Sequence, residues 1–93
     1  MLIKPSTRKG KRFMAIFKNG RITHFGLNGG STFIDHGDED KKINYLKRHA
    51  KNEDWNNPYT AGSLSRYILW GDSKNLDVNH QTYMKKFDKI INK

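Results

Sequence analysis

The stretch Ser6-Thr-Arg-Lys-Gly-Lys-Arg12 sets the cations Arg8, Lys9, Lys11 and Arg12 close together with no acid between them. Lysine and arginine at this density can lie along a phosphodiester backbone, where each neutralised phosphate releases condensed counterions. Such contacts are tight and salt-sensitive, and they read little sequence. The plainer reading is a solvated charged tail, and Arg8 to Arg12 also has the form of a short nuclear-import signal. A second set, Lys85, Lys86, Lys89 and Lys93, falls on one side of a predicted helix. Beside the first set it would extend a phosphate-tracking surface; alone it is an ordinary solvated helix face. A basic amphipathic helix can also rest on an anionic membrane, but the apolar side is modest here and no membrane partner is expected.

Other constellations carry less chemistry. Asp35-His36, Asp38 and His49 are of metal-ligating type. A His-Asn-His-type nuclease, however, needs a second strand between its Asp-His pair and its helical ligand, and a helix predicted from Asp38 leaves no room for one. Ser63 and Ser65 lack a nucleophile-elbow sequence. The glycines from Gly26 to Gly37 lack the Gly-Lys-Ser/Thr ending of a phosphate-binding loop. Trp55 and Trp70 read as packing residues that, if exposed beside lysines, would favour single strands. No enzyme activity, metal or cofactor is expected.

The 93 residues carry 18 Lys plus Arg against 9 Asp plus Glu, a formal charge of +9, with a pI near 9.9 and a mean hydropathy of -0.92. A polyanionic partner follows as the first expectation. The charge is uneven: residues 1–34 carry +7 and no acid, residues 35–54 carry -1, and residues 55–93 carry +3. With 34% hydrophobic residues and no cysteine, the chain suits one thin-cored domain without disulfides. It has no apolar run of membrane-spanning length and no signal-peptide pattern, so an intracellular, soluble protein is expected.

The elements that must hold these residues read as follows. Arg12 to Leu27 forms a hairpin around Asn19-Gly20, a pair suited to a two-residue type I′ turn with both residues at positive φ. That turn sets Lys18 opposite Arg21, Ala15 opposite His24 and Met14 opposite Phe25. A further strand from residues 1–6 would support it, and residues 4–11 are expected as a flexible basic segment. Residues 28–37 read as a glycine-rich loop. A helix then starts near Asp38, with acids in its first turn and Lys47, Arg48 and Lys51 in its last. Its predicted apolar stripe is Ile43, Leu46 and Ala50, which leaves Lys41, Tyr45 and Arg48 on another face that could bind phosphate but reads more simply as solvated. Thr60 caps a short second helix carrying Ala61, Leu64, Tyr67 and Ile68 on one side and ending at Gly71. A third runs from about Asp77 to Asn92, apolar at Tyr83, Met84, Phe87, Ile90 and Ile91. The fold class is α+β, a small antiparallel sheet packed with three α-helices in one domain.

One pattern is familiar. Phe25-Gly26, Gly30, Asp35-His36, Asp38, Lys41-Lys42, Tyr45, Arg48-His49, Glu53, Trp55, Thr60-Ala61-Gly62, Leu64-Ser65 and Leu69-Trp70 resemble a small uncharacterised domain family encoded by large nucleocytoplasmic DNA viruses, including marseillevirus-like ones. The resemblance spans residues 11–88 or so, and the Arg48-His49 and Leu69-Trp70 doublets are its most specific part. It implies a viral protein of the virion or infected cell, in a viral factory or nucleus, and it brings no catalytic motif. The sequence thus predicts a non-enzymatic, largely sequence-independent DNA-binding protein that uses Arg8, Lys9, Lys11 and Arg12, with Lys85, Lys86 and Lys89 as secondary contacts. The alternative is a homodimeric virion-structural or host-interaction module whose charge serves solubility or docking to acidic partners. The polar positions Asp35, His36, Tyr45, Arg48 and His49 fit either a buried network or a site.

Overall fold

The computed structural model describes residues 1–92, so Lys93 lies outside the described residues. Strands β1 (Leu2–Pro5), β2 (Lys11–Ile16) and β3 (Ile22–Leu27) form an antiparallel meander in the order β1-β2-β3. The helices are α1 (Phe33–His36), α2 (Glu39–His49), α3 (Ala61–Leu64), which continues as a π-helical segment over Ser65–Leu69, α4 (Leu76–Lys86) and α5 (Asp88–Ile91). The architecture is α+β.

The β2–β3 register differs by one residue from the expected pairing. Phe13 faces Phe25, Ala15 faces Thr23 and Ile16 faces Ile22. The cause is the turn: the Phe17 carbonyl accepts from the Gly20 N–H at 3.0 Å, while the Phe17 N–H donates to the Arg21 carbonyl at 2.9 Å, so Lys18, Asn19 and Gly20 all lie in the loop. Only Gly20 has positive φ, at 89°. Asn19 stays out of the left-handed region and its side chain accepts from the Arg21 N–H at 3.0 Å. A type I turn closed by a left-handed glycine is the three-residue solution. The slip reassigns the faces, because side chains alternate with period two. Phe13, Ala15, Phe17, Thr23 and Phe25 share the core face. His24, expected opposite Ala15, sits on the other face and meets Ser6 Oγ at 2.7 Å.

Residues 4–11 are a strand end and a tight turn rather than a flexible segment. Pro5 pairs with Phe13, the Ser6 N–H donates to the Arg12 carbonyl at 3.1 Å, and the Lys11 N–H donates to the Arg8 carbonyl at 3.2 Å. Gly10, at φ 83°, supplies the left-handed residue that the turn requires. The stretch expected as a glycine-rich loop contains α1, whose Phe33 is buried.

Asp38 caps α2 by accepting from the Asp40 and Lys41 N–H groups, and Thr60 caps α3 by accepting from the Ser63 N–H; both are side-chain oxygens satisfying helix-end donors. The α2 stripe is rotated from the expected one. Tyr45 is the buried residue of α2, while Ile43 is 46% exposed. Tyr45 stacks on Trp70 with ring centroids 4.4 Å apart and planes 6° apart. A flat ring awaiting it across the core outweighs the aliphatic periodicity. The expected last helix breaks at Phe87 (φ -109°, ψ 18°) into α4 and α5. Phe87 and Ile91 stay buried, but Ile90, one step of about 100° away on the helix, is 44% exposed.

The core gathers Ala15, Phe17 and Phe25 from the sheet, Leu64, Ile68 and Leu69 from the middle helix, and Tyr83, Phe87 and Ile91 from the last. Among the described residues, the helices pack on the sheet face that carries Ala15, Phe17 and Phe25. Leu2, Ile16 and Ile22 form a row on the other, with Leu2 and Ile22 each 55% exposed. Tyr83 lies inside and donates its hydroxyl to the Pro58 carbonyl. Burial pushes its pKa up. The Tyr45 hydroxyl is pushed up to about 12, first by burial and then by the Glu53 charge. An unfolded tyrosine ionises near pH 10, at about its model-peptide value. Stability from the two neutral hydroxyls is therefore full below that pH and is lost as pH rises through the Tyr45 value. In a 295 nm absorbance titration, Tyr45 and Tyr83 should ionise only in a cooperative step that coincides with unfolding by circular dichroism. Smooth, independent ionisation of all four tyrosines near pH 10 would contradict this packing.

Candidate nucleic-acid interface

The β1–β2 turn holds Arg8, Lys9 and Lys11 on a fixed support. Its base is closed by the two backbone bonds described above. Its side is tied by the Arg8 N–H donating to Ser6 Oγ at 3.0 Å, and its tip by the Asn28 N–H donating to the Gly10 carbonyl at 3.0 Å. All three cationic side chains are exposed. The ion pairs among the described residues engage Arg12, Lys42 and His49, so Arg8, Lys9 and Lys11 have no carboxylate partner. Lys11 faces Leu27 across the sheet. Leu27 borders a cleft of about 380 Å³ shared with Tyr45, Arg48, His49 and Trp70. Arg48 is exposed and adds a cation on the helical side of that cleft.

Arg12 is placed differently from its three neighbours. Its Nη1 and Nη2 donate to the two Asp35 carboxylate oxygens, each at 2.7 Å. The planar fork matches the carboxylate bidentately. Asp35 also accepts from the Thr32 N–H at 2.8 Å and the Thr32 hydroxyl at 2.9 Å. The Arg12 hydrogen bonds foremost, together with the Thr32 bonds, hold the Asp35 carboxyl well below the usual carboxylate range, against a smaller opposing effect of burial. Arg12 is therefore a brace between β2 and α1, and the N–H edge of its guanidinium is already engaged by Asp35.

The secondary set stands elsewhere. The Met1 ammonium approaches Met84 Sδ at 3.8 Å and His80 Nε2 meets the Met1 carbonyl at 3.1 Å. The Tyr59 hydroxyl links the Ile90 carbonyl at 3.4 Å to the Asn19 amide at 3.3 Å. Helices α4 and α5 thus flank the β2–β3 turn, at the end of the sheet away from Arg8, Lys9 and Lys11. The strand between is six residues long, about 20 Å. Lys85, Lys86 and Lys89 are exposed but do not join the first set. Lys18 and Arg21 share their end of the molecule, and Arg21 lies 4.5 Å from the Tyr59 ring centroid.

The polar positions resolve largely into a network. His49 rests on Tyr45 at 4.3 Å and reaches Glu53 at 3.6 Å. His36 meets Trp70 edge-on at 5.4 Å, and its Nδ1 accepts from the Asp38 N–H at 2.8 Å. That bond places the ring proton on Nε2, a buried nitrogen without a hydrogen-bond partner. Ser63 is fully buried and donates to the Asp54 carbonyl at 3.1 Å. Trp70 is buried, and Trp55 is half-buried beneath the Arg66 guanidinium, 5.4 Å away. Two further cations stand outside the contact sets of the leading sequence reading. Arg48 shares the expected solvated face with Tyr45, but Tyr45 turns inward and Arg48 does not. Arg66 gave no signal at all, since nothing in its neighbours announces the π-helical turn that carries it.

Asp35→Asn should loosen the brace and the start of α1 together. The pair is partly exposed, with side chains 24% and 34% accessible, so solvent screening limits the loss to about 1–2 kcal/mol. A depressed carboxyl contributes stability that is full above its unfolded pKa of about 3.9 and is lost as pH falls below it. The melting temperature of the wild type should accordingly drop more steeply than that of Asp35→Asn below about pH 4. Parallel acid profiles of the two proteins would remove the brace from the stability account.

Among the described residues, no helix is long and apolar enough to cross a membrane, and no group of three or more histidines and carboxylates converges to hold a metal ion. No curated protein and no solved structure matches the chain. A family model matches residues 1–49, which cover the whole sheet, α1 and α2. That is more than half of the 93 residues, and it includes the basic turn, the Arg12–Asp35 brace and Tyr45. The chain belongs to the family of unknown function DUF5754.

Proposed function

We propose that this protein binds the phosphodiester backbone of DNA, largely without regard to sequence, through Arg8, Lys9 and Lys11 on the β1–β2 turn. The observation that carries the reading is the state of these three cations: exposed, without carboxylate partners among the described residues, and mounted on a turn tied to both neighbouring strands. A tied turn loses little conformational entropy on binding, which favours a short basic segment as a contact surface. The absence of acids from residues 1–34 keeps the surrounding potential positive. Arg48, across the cleft from Leu27, extends the surface, while Arg12 positions it from behind. Lys85, Lys86 and Lys89 would contact a second stretch of backbone at the far end of the sheet. The protein acts without catalysis in this reading. The resemblance to domains of large nucleocytoplasmic DNA viruses supports a role with a viral genome, in the virion or the infected cell.

A second reading draws on the uncovered row of Leu2, Ile16 and Ile22. A second copy, or a virion or host protein, would cover that face, and the charge would then serve docking and solubility.

Fluorescence anisotropy with labelled duplex DNA across a salt series tests the first reading. Replacing Arg8, Lys9 and Lys11 together by Ala should leave the circular dichroism spectrum intact and lower the slope of log affinity against log salt by about 2.7, or about 0.9 for each lost phosphate contact. An unchanged slope removes the turn from the interface. No binding at any salt, with a dimer in sedimentation equilibrium, moves the apolar row into first place.

A further inference from the structure

We propose that the cavity between the π-helical segment and α4 binds a phosphate dianion, held between Arg66 and Lys86. The cavity measures about 310 Å³, and Tyr67, Ser73 and Asn79 complete its walls. The argument begins with two like charges brought together. The Arg66 guanidinium carbon stands 4.9 Å from the Tyr67 ring centroid and the Lys86 ammonium stands 5.0 Å from the same centroid. One aromatic ring is thus shared by two cations, and neither has a carboxylate partner among the described residues. Two unneutralised positive groups repel each other unless an anion enters between them. Asp72 also borders the cavity, but its carboxylate lies 3.1 Å from Lys42 Nζ and is 95% exposed.

The donors left over fit the anion. Arg66 is fixed by its Nη1 donating to the Trp70 carbonyl at 3.2 Å and by stacking over Trp55 at 5.4 Å. Its Nε is buried without a partner, and its Nη2 makes no hydrogen bond among the described residues. Lys86, which also lines the cavity, contributes up to three N–H donors. Ser73 Oγ accepts from the Asn75 N–H at 3.0 Å, and its own hydroxyl hydrogen has no protein acceptor among the described residues. A planar guanidinium and an ammonium lining one small cavity suit the several oxygens of a phosphate better than a single carboxylate. The π-helical turn is what delivers Arg66. The Trp70 N–H donates to the Ser65 carbonyl at 2.9 Å, five residues back, and this wider turn carries Arg66 between Trp55 and Tyr67. Such turns recur at binding sites.

The site is independent of the β1–β2 turn, at the helical side of the molecule. The source of the phosphate is either free inorganic phosphate or the monoester of a nucleotide. Isothermal titration calorimetry with inorganic phosphate and with adenosine monophosphate, at fixed ionic strength and with chloride as the control anion, separates the two. The expected result is saturable binding of at least one probe, weakened about tenfold or more by Lys86→Gln, as for loss of one charge-assisted bond, and unchanged when Arg8, Lys9 and Lys11 are replaced by Ala. A nucleotide that binds more tightly than phosphate marks a phosphomonoester ligand; equal binding marks free phosphate. Arg66→Lys keeps the charge but loses the fork, and should weaken binding in a protein whose circular dichroism is unaltered. If Arg66→Lys does not fold, Lys86→Gln decides alone, because its side chain is exposed and carries no hydrogen bond within the protein. No saturable heat with either probe, binding insensitive to Lys86→Gln, or binding abolished by the turn substitutions would overturn the proposal.

Discussion

Two 2.7 Å bonds from Arg12 to Asp35 join the sheet to the beginning of the helical layer, and a chain of local dependencies runs from them. A four-residue helix such as α1 cannot support itself. Its start is fixed because Asp35, held by Arg12, binds the Thr32 N–H and hydroxyl in turn. The same short helix carries His36, whose ring accepts the Asp38 N–H, and Asp38 is the cap of α2. From that cap α2 runs in the direction that lays Tyr45 flat on Trp70. A brace on one strand therefore reaches the aromatic centre of the domain through three short links. The fork also removes one cation from the basic turn and commits it to structure, which leaves Arg8, Lys9 and Lys11 as the cations of that turn without a carboxylate partner among the described residues.

How much of this could be read from the residues depended on whether a signal was local. The helix start near Asp38, the cap at Thr60 and the α+β class were legible, because first-turn acids and a side-chain oxygen ahead of an apolar period act over three or four residues. The Asn19-Gly20 hairpin was legible as a hairpin but not in register. Asn19 bonds the Arg21 N–H through its side chain and leaves the left-handed position to Gly20 alone, and that choice moves every cross-strand partner by one. The α2 stripe misled for a different reason: Ile43 and Leu46 satisfy a helical period, yet the surface that α2 meets is the Trp70 ring, whose place is fixed far along the chain. Arg12 looked like its neighbours because a brace and a phosphate contact have the same sequence. Only the position of Asp35, 23 residues on, separates them.

The distribution of charge is the other property that the linear order concealed. A net charge of +9 suggests one continuous basic surface, but the fold divides it between one end of the sheet and the helical side of the molecule. At one end the cations are exposed on a tied turn. On the helical side, Arg66 and Lys86 both lie against Tyr67 beside a small cavity. An open, convex cluster suits an extended polyanion, and a walled pair suits a compact one. The two proposals follow from this difference in shape rather than from charge alone. They assign the family match over residues 1–49 to the half that bears the turn, and leave the cavity to the half that follows it.

The most direct test of the central claim is to follow the backbone amide resonances of the isotopically labelled protein as duplex DNA is added at low salt. The account predicts saturable shifts at Ser6 to Lys11, spreading through the Gly10–Asn28 bond to residues 28–30 and to Arg48. Shifts limited to α4 and α5, or a uniformly weak response across the chain, would contradict it and place the contact surface somewhere other than the turn.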